Sequence, residues 1–146
     1  TLIITNPYTI SKKKTKIEKG NSQLIKPGDK IKVENILIEA VPAYNKDKQF
    51  HPKANQWVGY ILTLNNIKFY HAGDSDVIPE MESVQADVVM LPVGGTYTMN
   101  SKEASEIVNK IKPKLAIPMH YGSIVGNKND AEKFKELCNC KVKILT

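Results

Sequence analysis

The sequence predicts a mixed α/β domain in which helices cover one face of a sheet. Its 146 residues are 41% hydrophobic and 25% charged, which is typical of a globular domain long enough to bury a core of its own. The second half alternates short apolar runs with segments of helical periodicity. The first half contains short apolar runs separated by turn residues, a pattern that favours antiparallel hairpins. We therefore expect residues 1–146 to form one domain.

The first half is predicted to form strands around one long loop. Residues 43–56 are polar and contain Pro52, so they should form this loop, and loops of such length in compact domains are often functional. A turn is expected at Pro27-Gly28-Asp29. Strands are expected at residues 2–4, 30–33, 36–41, 58–64 and 67–70.

The second half is predicted to form a strand–helix–strand–helix–strand unit after a short helix that begins at Pro79. Asn100 and Glu103 have the spacing of a capping box at the start of the first long helix. Asp130 is expected to cap the last helix, whose inward face should contain Phe134, Leu137 and Cys138. The remaining elements are expected at residues 87–91, 101–112, 115–119 and 142–145.

Charge and cysteine content exclude several classes of function. The net charge is +6, yet every basic residue is Lys, and the absence of Arg argues against a nucleic-acid partner. The dense cluster Lys12-Lys13-Lys14 is expected on a solvated loop or edge strand. No apolar run approaches the roughly 20 residues of a membrane span, and no secretory signal is visible. Cys138 and Cys140 are too close to pair without strain, so we expect a reducing, cytoplasmic location.

Two polar motifs follow strongly apolar strands at their carboxyl ends. The first contains His71, Asp74 and Asp76, and the second contains His120 and Tyr121. The loops at such strand ends commonly hold ligands and catalytic groups in α/β folds. A carboxylate and an imidazole placed together can bind a divalent metal, or can act as a base and its orienting partner.

These motifs also carry a family resemblance. Gly73-Asp74-Ser75-Asp76 resembles the metal-bridging motif of the metallo-β-lactamase superfamily, and the segment at residues 117–122 resembles the one that carries its last metal-binding His. The segment at residues 91–99 is similar to the UlaG-like branch of metal-dependent hydrolases. Residues 41–45 and 51–53 are similar to one subgroup of that branch.

The resemblance implies the carboxyl-terminal part of an αββα sandwich, and a divalent metal, above all zinc, with manganese or iron as alternatives. Asp74 would bridge two metals and His120 would complete the second site. Asn45 stands where members usually carry another metal-binding His, and His51 in the same loop is an alternative ligand. His71 and Asp76 are expected to orient the ligands. The reaction implied is attack of an activated water on an ester, lactone or phosphodiester.

The pocket itself is less well defined by the sequence. We expect it to be lined by Thr96, Tyr97 and Tyr121, and Lys53 in the long loop is expected to favour a small anionic substrate.

One family motif is absent. Members carry a His-x-His-x-Asp-His segment ahead of this region, whereas this sequence has three histidines and no such segment. We therefore expect an incomplete domain, either a fragment or one product of a split gene, that is inactive alone and is partnered by an amino-terminal half or by a second copy.

The sequence is also compatible with two other classes of function. One is a binding module without catalysis. The other is a serine hydrolase, because Gly73-Asp74-Ser75 resembles the opening of GDSL-type esterases, although Ile117 stands where their late Asp-x-x-His motif needs Asp.

Overall fold

The computed structural model describes residues 3–5 and 22–145. Within these ranges there are nine strands and two α-helices, together with 3-10 turns at Lys53–Asn55 and Pro79–Ser83. The helices are α1 (Ser101–Ile111) and α2 (Lys128–Leu137). The strands are β1 (Ile3–Thr5), β2 (Ser22–Leu24), β3 (Lys30–Val33), β4 (Ile36–Pro42), β5 (Val58–Leu64), β6 (Ile67–His71), β7 (Val88–Pro92), β8 (Leu115–Met119) and β9 (Lys141–Val142).

Strands β3 to β9 form one seven-stranded sheet in which the strands lie side by side in chain order. From β3 to β6 the neighbours are antiparallel, and from β6 to β9 they are parallel. Strands β1 and β2 form a separate parallel pair. The predicted mixed α/β class is confirmed, because hairpins build one half of the sheet and helix crossovers build the other half.

The helices pack on one face of this sheet and bury its core. Tyr70, Val89 and Ala116 from β6, β7 and β8 are fully buried there, together with Ile107 of α1 and Phe134 of α2. The apolar stripe of α1 has the helical spacing that the sequence predicts, and its Asn100–Glu103 capping box is present. The buried face therefore stabilises both helices against the sheet.

The opposite face of the sheet is also apolar, but its side chains are only half-buried. Leu62, Phe69 and Val88 are directly opposed across β5, β6 and β7. An open pocket of about 420 Å³ lies on this face and is lined by Ile4, Ile38, Tyr60, Leu62, His71 and Met90. Both faces of the central strands are thus suited to packing, as in a sheet that is covered on both sides.

The last helix corrects two details of the sequence prediction. Its N-cap is Asn127, not Asp130, since the Asn127 side chain accepts from the amide of Asn129 while Asp130 accepts from the amide of Asn127. This reciprocal pair is a capping box, with Asp130 as its third helical residue. Leu137 is 40% exposed, because the helix ends there and Cys138 continues in extended backbone.

Other predicted boundaries move by a few residues. The helix at Pro79 is a five-residue 3-10 turn whose Ile78 and Met81 are buried as expected. The closing strand is limited to Lys141–Val142, the two residues that pair with Leu115 and Ala116 of β8. Strand β2 was not predicted, and the Lys12–Lys14 cluster lies outside the described residues. No helix in the described part of the chain has the length and apolarity of a membrane span.

Burial of Cys138 gives a first testable prediction. Desolvation, with a smaller contribution from Cys140, raises the pKa of the Cys138 thiol to about 12. An ordinary thiol has a pKa of about 8.5, so at about pH 8 the thiolate fraction should fall roughly a thousandfold. In the variant C140S, alkylation of Cys138 by iodoacetamide should be slow in the native protein and normal in denaturant. Equal rates in both states would contradict this burial.

Candidate metal centre

The ends of three parallel strands bring the polar motifs to one edge of the sheet. Strands β6, β7 and β8 are neighbours and end at His71, Pro92 and Met119. Backbone hydrogen bonds continue the pairing beyond the strands, from Ala72 to the carbonyl of Met90 and from Val93 to the carbonyl of Met119. The loops that follow therefore start side by side.

The long loop at residues 43–57 reaches the same edge. The amide of Ala43 donates to the carbonyl of Trp57, which closes the base of the loop beside β5. Gly59 is the second residue of β5, and a Cβ there would lie 2.7 Å from the carbonyl oxygen of His71. Glycine thus permits the close approach that places this loop against the segment carrying Asp74.

Asp74 and His120 face each other across this edge. The Oδ2 atom of Asp74 lies 3.5 Å from Nε2 of His120. The two side chains are 44% and 29% exposed, so both can be reached from solvent. Asp74 follows β6 and His120 follows β8, so the two strands that lead to these residues lie on either side of β7.

The spacing of this pair suits two ligands of one metal ion. Carboxylate oxygen and imidazole nitrogen bind zinc at about 2.0–2.2 Å, and two such donors at a tetrahedral angle are about 3.4 Å apart. The observed 3.5 Å matches that separation. Asp74 and His120 therefore fit a divalent cation as two of its ligands.

His120 is held in an unusual backbone conformation. Its φ of 57° lies in the left-handed region, which non-glycine residues rarely adopt and which is concentrated at functional sites. Its Nδ1 atom is buried and has no hydrogen-bond partner among the described residues. A metal-binding His usually donates from its second nitrogen, so a partner for Nδ1 would have to come from a group beyond those described.

His51 lies behind Asp74. Its Nδ1 is 2.9 Å from the main-chain carbonyl oxygen of Asp74, and since a carbonyl can only accept, Nδ1 carries the proton. The backbone of His51 is also left-handed, with a φ of 60°, and its ring lies 3.9 Å from the ring of Trp57. His51 thus contacts the segment of Asp74, not its carboxylate.

The described residues contain no group of three His, Cys, Asp or Glu side chains placed to hold a metal ion. His51 therefore does not join Asp74 and His120 as a third ligand in this arrangement. In the described part of the chain these two residues are a partial donor set.

Asn45 is buried between the loops, with 4% exposure. Its Nδ2 donates to the carbonyls of Phe50 and Tyr97 at 3.0 and 2.8 Å, which uses both amide hydrogens. Its Oδ1 is left without a hydrogen-bond partner among the described residues. In this structure Asn45 joins two loops, and its oxygen is the one atom left to act as a neutral ligand.

His71 supports the backbone ahead of Asp74. Its Nδ1 accepts from the amide of Gly73 at 3.1 Å, so this nitrogen is unprotonated. Desolvation lowers the pKa of His71, and the negative charge of Asp74 opposes that shift. Its ring borders the apolar pocket on the sheet face together with Met90.

Ser75 and Asp76 connect the Asp74 segment to the long loop. The Ser75 hydroxyl lies within hydrogen-bond distance of both the amide and the carbonyl of Tyr44, at 3.2 and 3.0 Å. Asp76, 7% exposed, accepts from the amide of Lys46 at 3.0 Å and from the ammonium of Lys48. Asp76 is therefore fixed to this loop, and its expected ligand-orienting role stays a prediction.

The other predicted pocket residues differ in how free they are. Lys53 donates to Glu80 at 3.0 Å and to the Tyr44 hydroxyl, and the bond to Glu80 raises its pKa, so its charge is already paired. Tyr121 contacts the core and lies 3.4 Å from the carbonyl of Leu145 through its hydroxyl. Thr96 is exposed.

Tyr97 is the exposed aromatic side chain of the loop after β7, and it packs edge-to-face with Phe50 at 5.6 Å between ring centroids. Phe50 was missed in the sequence because a lone aromatic in a polar loop has no pattern to distinguish it. Lys48 was missed for a similar reason, since it is one lysine among 21.

The family of the chain follows from its match to known proteins. The family model described as the beta-lactamase superfamily domain matches residues 2–120, which is most of the chain. The chain belongs to the beta-lactamase superfamily. The predicted recognition is thereby confirmed, and so is the fold class; the UlaG-like branch stays a prediction.

Curated relatives within this superfamily are named metal-dependent hydrolases. One from Thermoplasma acidophilum is 37% identical over 125 residues, covering 82% of this chain and 55% of the relative. One from Thermococcus onnurineus is 34% identical over 118 residues, covering 77% of this chain and 53% of the relative. The chain thus spans about half the length of the curated relatives it matches.

Two solved structures show the same fold. A protein from Parabacteroides distasonis, named as a metal-dependent hydrolase, superposes with a TM-score of 0.83 at 32% identity. That match covers 99% of this chain and 64% of the other. The metallo hydrolase Igni18 from Ignicoccus hospitalis has a TM-score of 0.80 at 22% identity, covers 99% of this chain and 65% of the other, and shows the fold alone.

The position of His120 depends on Gly94, which yields a second prediction. A Cβ at Gly94 would lie 2.5 Å from the carbonyl oxygen of His120 and 3.1 Å from Val125. The variant G94A should lower the free energy of unfolding by about 1–3 kcal/mol and should shift the imidazole NMR signals of His120.

The control is G28A. Gly28 has a φ of +95°, and a Cβ there would meet no atom within 4 Å, so this variant adds backbone strain alone and should leave the His120 signals unchanged. Unchanged His120 signals in G94A would contradict the packing.

Proposed function

We propose that this chain carries part of the metal centre of a metal-dependent hydrolase, in which Asp74 and His120 bind a divalent cation. The observation that supports this most directly is the 3.5 Å separation of Asp74 Oδ2 and His120 Nε2 at the meeting point of two strand ends. Both donors are accessible, and both belong to motifs within the superfamily match or at its end.

Zinc is the cation that we propose, with manganese and iron as alternatives. A mixed carboxylate and imidazole donor set is one that zinc accepts at about 2.0–2.2 Å, while manganese and iron also bind these groups. A bound cation of this kind would lower the pKa of a coordinated water to about 7 and would polarise a scissile bond. The substrates proposed are an ester, a lactone or a phosphodiester.

The chain's own residues have three tasks in this proposal. Asp74 and His120 bind the cation through Oδ2 and Nε2, which lie 3.5 Å apart. His51 holds the backbone of Asp74 through its Nδ1–H, which limits the freedom of the carboxylate. The net charge of +6 favours the approach of an anionic substrate by long-range attraction, since the nearer Lys53 is paired with Glu80.

The rest of the donor set is proposed to come from other protein segments. The described residues supply no group of three possible ligands, and the chain spans about half the length of the named hydrolases. We therefore propose that the chain alone does not turn over substrate and that an amino-terminal half or a second polypeptide completes the centre.

A second candidate is a subunit or binding module whose sheet face docks a partner. The half-buried apolar face with its open pocket of about 420 Å³ favours this reading, because exposed apolar patches commonly mark protein contacts. In the split-hydrolase form of this proposal, that face and the partial metal centre are used together.

Cobalt titration tests the metal proposal. Co²⁺ should bind the wild-type chain at about one per chain, and D74N and H120Q should each weaken binding at least about tenfold because a charged or a nitrogen donor is lost. The variant D47N is the matched control, since Asp47 is an exposed carboxylate of the neighbouring loop. Quenching of Trp57, the sole tryptophan in the sequence, measures binding independently of activity because its ring is 3.9 Å from His51. Equal Co²⁺ affinities for D74N, H120Q and D47N would exclude the pair as a site.

Hydrolysis assays on the chain as it stands test the second part of the proposal. With added Zn²⁺ or Mn²⁺, cleavage of a generic phosphodiester and a generic lactone should not exceed that of the double variant D74N/H120Q. Two protein ligands leave the cation without the fixed geometry that such chemistry needs. Turnover that is sensitive to chelators and lost in the double variant would show instead that these residues suffice.

A further inference from the structure

Lys48 joins three of the four loops that meet at the candidate metal centre. It stands in the long loop between β4 and β5, and its ammonium contacts the carboxylate of Asp76 in the loop after β6. The same ammonium donates to the carbonyl of Thr98 in the loop after β7, at 3.2 Å. The ammonium group of Lys48 therefore links three segments that are distant in sequence.

The carboxylate of Asp76 is held at both of its oxygens. Oδ1 accepts from Lys48, and Oδ2 accepts from the main-chain amide of Lys46 at 3.0 Å. Since Asp76 is 7% exposed, its charge depends on these contacts to remain stable within the protein. If the carboxylate of Asp76 lost the ammonium of Lys48, its unpaired buried charge would favour release of the long loop.

The loop held in this way is the one that presents His51 to Asp74. Residues 44 and 45 are tied to the other two loops by the Tyr44–Ser75 and Asn45–Tyr97 hydrogen bonds, and the amide of Asn45 donates to the carbonyl of His51 at 2.8 Å. The backbone of His51 is in the left-handed region, a conformation that persists only when its surroundings enforce it.

We propose that Lys48 and Asp76 form a positioning pair that fixes the long loop, keeps the Nδ1–H of His51 on the carbonyl of Asp74, and so orients the Asp74 carboxylate. The pair does not touch the cation or the substrate in this account. Its consequence for metal binding rests on the function proposed above, whereas its effect on His51 does not.

Lys46 provides a matched control within the same loop. Its backbone amide donates to Asp76, but its side chain is exposed and makes no hydrogen bond or ion pair among the described residues. Replacing Lys46 or Lys48 by Met removes the same charge from the same loop. Only the second change removes the contact to Asp76 and Thr98.

Nitrogen NMR of the histidine rings tests the positioning role at about pH 8, where an ordinary imidazole is neutral. Wild type and K46M should show His51 with its proton on Nδ1, as the bond to Asp74 requires. K48M and D76N should shift His51 toward the Nε2-protonated form that free imidazole side chains favour, and K48R should restore the wild-type signals. The signals of His71 should not change, because its bond to Gly73 lies outside the loop.

Two further measurements make the test decisive. The thermal midpoint of each variant separates local release from unfolding, and the double variant K48M/D76N, which leaves no uncompensated charge, should fold while still showing the altered His51. Wild-type His51 signals in folded K48M or in the double variant would overturn the proposal.

The metal readout separates this inference from the proposed function. If Co²⁺ binds at Asp74 and His120, K48M should weaken it about 10- to 100-fold while K46M leaves it unchanged, as is typical when a support of a ligand is lost. Equal Co²⁺ affinity for K48M and K46M would overturn the link to the cation. If wild type binds no Co²⁺, the proposed function fails, and the His51 signals still decide the positioning role.

Discussion

A carboxylate taken out of water has to be paired, and the pairing of Asp76 determines how the loops at the candidate metal centre are arranged. Its two oxygens bind the ammonium of Lys48 and the amide of Lys46, so the long loop between β4 and β5 is drawn onto the segment that follows β6. Because Lys48 also binds the carbonyl of Thr98, the loop after β7 is included in the same network. Asp74 is two residues from Asp76, so its position depends on these contacts.

The sheet positions His120, the second proposed metal ligand, opposite Asp74. Parallel strands β6 and β8 flank β7, and their ends bring Asp74 and His120 within 3.5 Å of each other. Two of the three histidines, His51 and His120, adopt left-handed backbone on either side of Asp74. Such strain is maintained by packing, which at His120 is the close approach of Gly94. The packed core fixes the ends of the strands, and the loops that begin there orient these rings.

Much of the fold could be predicted because its signals are local. Apolar alternation and the Asn100–Glu103 spacing predict the hairpins and α1, and the motifs at strand ends predict that Asp74 and His120 meet. Contacts between loops have no local signal, so Lys48 and Phe50 were not recognised, and the Asp130 capping prediction failed because Asn127 competes for the same helix end. The buried side chain of Asn45 is held by carbonyls from two loops, and no single segment of sequence predicts that these loops meet.

The central claim is that Asp74 and His120 bind one cation, and metal content per chain tests it most directly. The measurement is plasma mass spectrometry on protein purified without a histidine tag, after exposure to zinc and gel filtration. We expect bound zinc in the wild type, with the content of D74N and H120Q reduced to the background of a metal-free control protein. Zinc that is retained equally by both variants, or a wild type that retains none, would contradict the claim.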